Sequence, residues 1–458
     1  MNLLKKKRLK GIHVAHNKNT KNLATERLPL PEKVYLSMAQ NIGAKCDVVV
    51  EVGDHVDLGQ PVGDTDIVMS APVHASVSGK VVSIEKIMSI MGTMDKHVVI
   101  ESDGRQTTWE GVKPPVIETR DDFIKAIKDS GVVGLGGAAF PVSVKYNPRN
   151  IEMVDTLIVN GAECEPYITS DYRTMLEETN SIVDGIEGIM KWLDIKDCYI
   201  GIEDNKPEAI ARLYEAIEGN YHIHIVIIKS IYPRGAERVM IYETTGKVLP
   251  PGKLPADIGV LVSNVATVSF IGKYLATGMP LVEKRITVDG DAVTTPKNLM
   301  VPLGTKIVDI IDFCGGYKLP PAKIIMGGPM MGRAIYNDGK PLIKNNNAIL
   351  VFDEKQAFIS EETPCINCGR CVRACPMDLM PTLINRAYLQ NDYTELRRLN
   401  VQLCMGCGCC SYVCPATRRL NIVHLLAKAK LKELDLKEQK AKERKLKEQE
   451  AKELEGKQ

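Results

Sequence analysis

Cysteine is the residue type whose spacing in this chain most directly indicates chemistry. Nine of the 13 cysteines lie between Cys365 and Cys414, and eight of these form two C-x2-C-x2-C-x3-C-P runs that start at Cys365 and Cys404. Such tight clustering indicates metal ligands, because disulfide frameworks spread cysteines through short secreted chains. An iron–sulphur cubane presents four irons, and each takes one thiolate. Three close cysteines can therefore hold three irons, while the fourth ligand comes from elsewhere.

The two runs match the pattern of two-cluster bacterial ferredoxins, in which the fourth cysteine of each run ligates the other cluster. We therefore expect two [4Fe–4S] clusters that exchange their fourth ligands. The expected ligands of the first cluster are Cys365, Cys368, Cys371 and Cys414, and those of the second are Cys375, Cys404, Cys407 and Cys410. Cys409 is expected to be a bystander, because Arg370 takes its place in the first run. Two zinc sites are the alternative, but zinc prefers separated C-x2-C pairs.

Two loops upstream of the cysteines could bind a cofactor. Residues 131–141 are rich in glycine, which lets the backbone approach a phosphate or a ring closely, and successive N–H groups favour an anion. Residues 158–167 follow an apolar run and contain an amide and two carboxylates that could hydrogen-bond a flavin or a ribose. A tight turn and a loop with solvated acids are the respective alternatives.

Several elements must position these loops. Residues 1–115 are expected to form a small β-rich domain, because short alternating runs are separated by regular turn signals. Within them, residues 71–79 are similar to the hammerhead turn of lipoyl and biotinyl carrier domains, without a lysine at the tip. Residues 116–280 alternate between expected strands and helices, the pattern of an α/β domain. One long helix is expected over residues 172–192.

The rest of the chain divides into three parts. Residues 281–350 return to short strands and are similar to a ubiquitin-like β-grasp insert, and residues 351–427 carry the cysteine runs. Residues 428–458 are mostly Lys, Glu, Ala, Leu and Gln, which predicts a solvated helical tail with i,i+4 ion pairs. A specific coiled coil is the alternative for this tail.

Composition excludes some classes of function. A formal net charge of +2 leaves no basic excess for phosphates, so no nucleic-acid partner is expected. No apolar run reaches the roughly 18 residues that suggest a membrane span, and the best candidate, residues 258–275, is interrupted by polar side chains. We therefore expect a cytoplasmic protein whose membrane association runs through partner subunits.

The two loops together resemble the flavoprotein subunit of respiratory complex I, which binds FMN and NADH. The family patterns G-R-G-G-A-G-F-P, N-A-D-E-x-E-P, Y-x-x-G-E-E and N-N-V-E-T match residues 134–141, 160–166, 232–237 and 263–267. Leu135 and Ala236 stand where that family has an arginine and an acid. The resemblance implies an FMN site formed by Gly134, Gly136, Gly137, Lys145, Asn160, Asn264 and Thr267. It also implies that Glu163, Glu165 and Glu237 lie near FMN or the nicotinamide.

The order of the parts resembles the C subunit of the Rnf complex, a ferredoxin:NAD oxidoreductase coupled to ion transport. Residues 11–13, 17–18 and 327–332 are similar to that family, and complex I flavoproteins lack the N-terminal domain and carry one cluster. The resemblance implies a peripheral subunit on the cytoplasmic face of the cell membrane. Its implied partners are other Rnf subunits, including membrane subunits and a ferredoxin-type iron–sulphur subunit, with ferredoxin itself as an indirect partner. FMN is expected to be non-covalent, because no S/T-G-A-T-type motif occurs.

The expected fold class is therefore multidomain α/β plus β. Its parts are a carrier-like β barrel-sandwich hybrid, an α/β FMN/NADH-binding domain, an SLBB-like β-grasp insert, a two-cluster ferredoxin domain and a helical tail. NAD(H) exchanges two electrons and clusters carry one, so a flavin must stand between them; no catalytic acid or base is expected. The alternatives are a cobalamin reductase of a bacterial microcompartment and a non-enzymatic iron–sulphur electron wire.

Overall fold

The computed structural model describes residues 9–90 and 92–455, with side chains described up to residue 444. The described chain forms two compact units. The large unit comprises residues 13–358, and the cysteine unit comprises residues 9–12 together with 359–455. Across these described ranges no helix combines the length and the apolar character needed to cross a bilayer.

The strands all belong to the large unit. In chain order they are β1 (Thr25–Arg27), β2 (Lys33–Ser37), β3 (Asp47–Val48), β4 (His55–Val56), β5 (Pro61–Asp64), β6 (Val73–His74), β7 (Gly79–Met88), β8 (Met94–Ser102), β9 (Thr156–Gly161), β10 (Asp197–Glu203), β11 (Ile223–Ile228), β12 (Val260–Asn264), β13 (Glu283–Asp289), β14 (Lys297–Pro302), β15 (Lys323–Met326), β16 (Arg333–Ile335) and β17 (Ala348–Phe352).

The helices occur in both units. Those of the large unit are α1 (Arg120–Asp129), α2 (Val142–Lys145), α3 (Ser170–Glu177), α4 (Thr179–Leu193), α5 (Pro207–Ala216), α6 (Glu237–Thr245), α7 (Val265–Thr277), α8 (Ile307–Phe313) and α9 (Glu354–Ala357). Those of the cysteine unit are α10 (Arg370–Ala374), α11 (Pro381–Leu389), α12 (Tyr393–Arg398), α13 (Cys409–Tyr412) and α14 (Leu420–Glu455).

The glycine-rich and acidic loops are positioned by a sheet of four parallel strands in the order β11-β10-β9-β12. Its strand β9 carries Leu157, Ile158 and Val159, all buried, as in a strand covered on both faces. Asn160 near the end of β9 is the register partner of Asn264 at the end of β12. The two asparagines therefore share the carboxyl edge of the sheet, where open α/β sheets bind ligands.

Two further β layers share one hydrophobic core. The first is the β-rich part near the N-terminus, with the sheets β2-β8-β7-β4 and β3-β5-β6, and the second is the mixed sheet β1-β14-β13-β17-β15-β16. Val34 and Val81 of the first layer belong to the same buried cluster as Ile286 and Leu299 of the second. Because one core stabilises both layers, side chains from β13 can reach the loops that the α/β sheet presents.

The expected single helix over residues 172–192 is wrong, since the chain forms α3 and α4 with a break at Glu178. This residue leaves helical geometry (φ −133°, ψ 30°). Its carboxylate accepts a hydrogen bond from Ser269 Oγ at 2.6 Å and pairs with Lys273 and Arg285 at 2.6 and 2.7 Å. These partners come from α7 and β13, so tertiary ion pairs decide the break.

The cysteine unit is helical around a small core. Ile384, Leu396, Val401 and Ala427 are fully buried in this core. The last helix, α14, begins at Leu420 and contributes buried side chains before its exposed, charged part. The helical tail therefore continues directly from the packed part of the unit.

Helices α4 and α7 pack closely through two glycines. A Cβ on Gly185 would lie 2.1 Å from the carbonyl oxygen of Val268, and one on Gly272 would lie 2.1 Å from that of Ser181. Both obstacles are backbone atoms, which cannot rotate away. By contrast, a Cβ on Gly188 of α4 would meet only the Cδ1 atom of Leu275, at 2.6 Å.

Replacing Gly185 with alanine should therefore lower the thermal midpoint of the large unit. Forced separation of packed elements costs about 1–3 kcal/mol, which exceeds the roughly 1 kcal/mol that alanine gains over glycine in a helix. Gly188→Ala is the matched control, because Leu275 can move, and its midpoint should be unchanged or higher. Calorimetry of both variants checks this, and equal midpoints for the two would contradict the close packing.

Candidate functional site

Side chains from other elements hold the glycine-rich loop by donating hydrogen bonds to its carbonyl groups. Lys284 Nζ donates to the carbonyl of Leu135 at 2.6 Å, while the N–H of Leu135 donates to Thr267 Oγ1 at 3.0 Å. Lys344 Nζ donates to the carbonyl of Gly131 at 2.7 Å. Asn345 Nδ2 donates to the carbonyl of Gly137 at 3.0 Å. These contacts leave the loop with its carbonyls engaged by the protein.

The N–H groups at the tip of this loop differ from its carbonyl groups in their hydrogen bonding. Gly136, Gly137 and Ala138 are exposed, and within the described parts of the chain their N–H groups donate to no protein acceptor. Gly136 lies against Asn264, since a Cβ there would be 3.0 Å from Nδ2 of that side chain. Successive N–H groups of this kind form a concave anion site. The loop therefore fits the phosphate of a flavin mononucleotide.

The two asparagines at the carboxyl edge shape the site through internal bonds. Asn160 Nδ2 donates to the carbonyl of Gly235 at 2.8 Å. Asn264 Oδ1 caps α7 by accepting from the N–H of Ala266 at 3.0 Å, and its Nδ2 donates to Asp171 Oδ2 at 2.7 Å. Asp171 was not predicted as a site residue, because a single acid in the first turn of a helix gives no distinguishing signal in a sequence.

Glu163 uses its carboxylate inside the protein. Its two oxygens accept the N–H groups of Asp171 and Tyr172 at 2.6 and 3.2 Å, at the start of α3. Burial raises the pKa of this carboxyl to about 7, against the opposing effect of the nearby Lys18. Glu163 therefore joins the acidic loop to the first turn of α3.

Glu165 has one oxygen engaged and one without a partner. Its Oε2 accepts the N–H of Met330 at 3.0 Å, and its Oε1 is buried with no hydrogen bond to any described residue. Burial raises the pKa of this carboxyl to about 7. A buried polar atom without a partner is costly, so Oε1 fits a site completed by a ligand.

Lys145 and Glu237 meet at the same edge of the sheet. Lys145 Nζ donates to the carbonyl of Val262 on β12 at 2.9 Å and lies 3.8 Å from Glu237 Oε1. Burial lowers the pKa of Lys145, and the charge of Glu237 opposes that shift. All ten predicted cofactor residues thus lie at, or in loops bonded to, the carboxyl edge of the parallel sheet.

Four lysines near these loops, three of them buried and Lys18 half-buried, were not predicted as site residues. They are Lys18, Lys206, Lys284 and Lys344. Burial lowers the pKa of Lys284 to about 7 and that of Lys344 to about 8. Their spacing along the chain gave no signal, because each bonds to a carbonyl far away in the sequence.

The structure brings the fourth cysteine of each run towards the other run. Cys375 lines one small pocket together with Cys404, Cys407 and Cys410. Burial raises the pKa of Cys371, and the neighbouring thiols of Cys414 and Cys365 add to that shift. Across the described residues, no three His, Cys, Asp or Glu side chains converge as ligands of a single ion do.

The donor chemistry of these thiols fits iron. Burial raises the pKa of Cys410 to about 12, and a bound cluster would take this side chain as the thiolate. Backbone N–H groups already point at two sulphurs, from Asn367 to Cys365 and from Gly406 to Cys404, both at 3.4 Å. Such N–H···S bonds are among the levers that set cluster potentials.

Two other side chains lie beside the second set of thiols. Cys409, expected to be a bystander, is buried and lines the same pocket; a hydrogen bond with Cys407 raises the pKa of its thiol. His424 was missed: its Nδ1 lies 3.6 Å from Cys404 Sγ and its Nε2 lies 3.1 Å from the carbonyl oxygen of Pro381. Neither residue belongs to the repeated spacing.

Family models match four successive parts of the chain. They are described as the RnfC barrel sandwich hybrid domain (residues 6–105), the Nuo51 FMN-binding domain (127–273), the SLBB domain (285–334) and the 4Fe-4S dicluster domain (357–415). These matches confirm the expected fold class and the expected cofactors, FMN and [4Fe–4S] clusters.

Similar proteins are known from several bacteria. The C subunit of the proton-translocating ferredoxin:NAD(+) oxidoreductase complex of Clostridium ljungdahlii is 41% identical over 392 residues, which cover 84% of this chain and 85% of that relative. The C subunit of the Na(+)-translocating complex of Acetobacterium woodii is 40% identical over 398 residues, covering 85% and 89%. The C subunit of the ion-translocating oxidoreductase complex of Rhodobacter capsulatus is 36% identical over 384 residues, covering 82% and 73%.

Among solved structures, a chain of an NAD+-reducing [NiFe]-hydrogenase in the H2-reduced state is 16% identical with a TM-score of 0.47, covering 68% of this chain and 63% of that chain. The curated relatives and the matching family models agree along the chain. The chain therefore belongs to the family of C subunits of ion-translocating ferredoxin:NAD(+) oxidoreductase complexes, the Rnf complexes.

Proposed function

We propose that this chain is the NAD(H)-oxidoreducing subunit of an Rnf complex. It passes electrons between NAD(H), FMN and two [4Fe–4S] clusters, in ferredoxin:NAD+ electron transfer coupled to cation transport. One observation carries the proposal. The same chain holds a loop whose exposed residues Gly136, Gly137 and Ala138 have N–H groups with no described acceptor, and a pocket in which Cys375 of the first cysteine run lies with Cys404, Cys407 and Cys410 of the second.

The loops at the sheet edge hold the flavin in this proposal. When bound, FMN exchanges two electrons with the nicotinamide and one at a time with the clusters. The N–H groups of the glycine-rich loop bind its phosphate, and Thr267 and Asn264 hold that loop in place. The proposed flavin residues are Gly134, Gly136, Gly137, Lys145, Asn160, Asn264 and Thr267. The acids proposed to lie near FMN or NAD(H) are Glu163, Glu165 and Glu237.

The two cysteine runs hold the clusters in this proposal. The proposed ligands are Cys365, Cys368, Cys371 and Cys414 for one cluster and Cys375, Cys404, Cys407 and Cys410 for the other. The exchange of fourth ligands is supported by the pocket that Cys375 shares with thiols of the second run. Soft thiolates suit iron, and the N–H groups aimed at sulphur stabilise their charge.

The setting follows from the family. The chain belongs to a multi-subunit complex, and we propose that it lies on the cytoplasmic face of the membrane. Its proposed partners are the membrane subunits and a ferredoxin-type iron–sulphur subunit, through which ferredoxin exchanges electrons indirectly. We also propose the domain boundaries 1–115, 116–280, 281–350, 351–427 and 428–458.

The test of the proposal is reduction of the bound flavin by NADH. Protein purified without oxygen and carrying FMN should lose its yellow absorption within seconds of adding NADH, followed by bleaching of the broad cluster absorption. An anaerobic absorption titration measures both. Flavin that stays oxidised in excess NADH would instead favour an electron wire without nicotinamide chemistry.

Replacing Cys375 with serine should remove one cluster and leave the other. Because this thiol belongs to the set with Cys404, about four of the roughly eight irons that two cubanes hold should be lost. Iron analysis and electron paramagnetic resonance of the reduced protein measure this loss. Cys409→Ser is the matched control, since it changes a buried neighbouring thiol and should keep about eight irons. If Cys409→Ser lost iron and Cys375→Ser did not, Cys409 rather than Cys375 would be the ligand.

Replacing Thr267 with valine should weaken flavin binding. The buried N–H of Leu135 would lose its acceptor, at a cost of about 1–3 kcal/mol, and the loop would lose one of the bonds that hold it. The flavin-to-protein ratio after dialysis measures the effect, and it should fall well below that of the wild type. Thr277→Val, at the exposed end of the same helix, is the control and should retain flavin fully. Equal flavin content in both variants would show that Thr267 does not hold the site.

A further inference from the structure

The part of the acidic loop that follows the strand, residues 161–168, has a backbone conformation that is unfavourable for its residue types. Glu163 and Tyr167 have φ values of 50° and 69°, in the left-handed region that residues with a Cβ seldom occupy. Such conformations persist only when surrounding contacts enforce them, and they cluster at functional sites. Contacts from outside the loop must therefore hold this shape.

Lys18 makes most of the contacts that hold the loop from outside. Its Nζ donates to the carbonyl of Glu163 at 2.9 Å, to that of Glu165 at 2.8 Å and to that of Ile168. An ammonium has three donors, so all three are used on one loop. No other lysine described in the structure bonds three carbonyls of a single loop.

The segment around Lys18 binds the loop at one more point and also binds Thr169, the residue that follows it. The N–H of Tyr167 donates to the carbonyl of His16 at 2.9 Å, and the hydroxyls of Thr20 and Thr169 are 2.5 Å apart. From the other side, Lys206 Nζ donates to the carbonyl of Ala162 at 2.5 Å. The loop is thus held along its whole length by bonds to residues outside it.

These bonds determine where the two carboxylates of the loop lie. Lys18 bonds the backbone of Glu163, whose carboxylate caps α3, and the backbone of Glu165, whose Oε1 is buried without a described partner. The charges that face Lys18 are Glu163 and Glu203, which favour its ammonium form, and Lys206, which opposes it. Burial lowers the pKa of Lys18, and the two acids oppose that shift.

We propose that Lys18 is a positioning residue for NAD(H), which it serves by fixing residues 161–168 so that Glu163 and Glu165 are held at the binding site. This inference rests on the proposed function, since it assigns NAD(H) to the site beside these acids. The Nζ of Lys18 donates to carbonyls of this loop, so in this proposal its effect on the ligand is indirect. A purely structural lysine would instead change stability and leave ligand affinity alone.

The test compares Lys18→Met with Lys18→Arg and with a control lysine. Methionine keeps the length and removes the donors, whereas arginine keeps the charge and donors with a different shape. Lys340 is the control, because its buried Nζ also donates to a backbone carbonyl, that of Met88, far along the chain from the acidic loop. All variants are studied as the full chain with FMN and clusters.

Two measurements are made on each variant. Hydrogen–deuterium exchange of the peptide covering residues 161–172 reports the order of the loop, and calorimetric titration with NAD+ reports affinity. Lys18→Met should raise exchange in this peptide at least tenfold and weaken NAD+ binding about tenfold, with flavin content unchanged. Lys18→Arg should show smaller changes in the same direction. Lys340→Met should leave both values as in the wild type.

The outcomes separate the inference from the proposed function. Unchanged exchange at residues 161–172 and unchanged NAD+ affinity in Lys18→Met would overturn the inference, as would equal effects from Lys340→Met. If Lys18→Met does not fold, Lys18→Arg decides by the same two measurements. A wild-type chain that binds no NAD+ would defeat the proposed function, and exchange would still show whether Lys18 orders the loop.

Discussion

The structure depends on how the backbone carbonyls of two loops are satisfied at the carboxyl edge of one parallel sheet. A loop carries backbone polar groups without helix or strand partners, and burying them unpaired is costly. Here lysine ammonium groups take that role: Lys284 and Lys344 bind carbonyls of the glycine-rich loop, and Lys18 and Lys206 bind those of the acidic loop. Each Nζ is removed from water to some extent, and this is tolerable because it donates to two or three oxygens of the protein.

This arrangement has a direct consequence for ligand binding. Lysines from the mixed sheet and its loops hold carbonyls of the glycine-rich loop, while the N–H groups of Gly136, Gly137 and Ala138 donate to no described acceptor. A row of such N–H groups attracts an anion, and rigid support keeps that row in place before the ligand arrives. The mixed sheet and its loops therefore support the glycine-rich loop through Lys284 and Lys344.

The cysteine unit positions its candidate ligand residues in a different way. Its ligands are chosen by side-chain chemistry, and helices around a small core bring Cys375 beside the thiols of the second run. Buried thiols, and backbone N–H groups already aimed at sulphur, prepare the unit for clusters. His424 beside Cys404 adds a polar contact that the repeated spacing does not contain.

The sequence by itself predicted the clusters and the order of the parts, because cysteine spacing and turn signals are local patterns that adjacent residues express, and its resemblance to a known family predicted FMN. It also identified the flavin and cluster residues as a prediction, and the structure lays these residues out at one sheet edge and in two sets of thiols. Only the tertiary structure decided that Glu178 divides α3 from α4, that Glu163 and Glu165 turn their carboxylates inward, and that Lys18 and Lys284 support the loops. The physical reason is distance along the chain. Lys18 and Lys284 bond carbonyls 145 and 149 residues away, and an isolated lysine in a sequence gives no sign of which distant oxygen will be buried beside it.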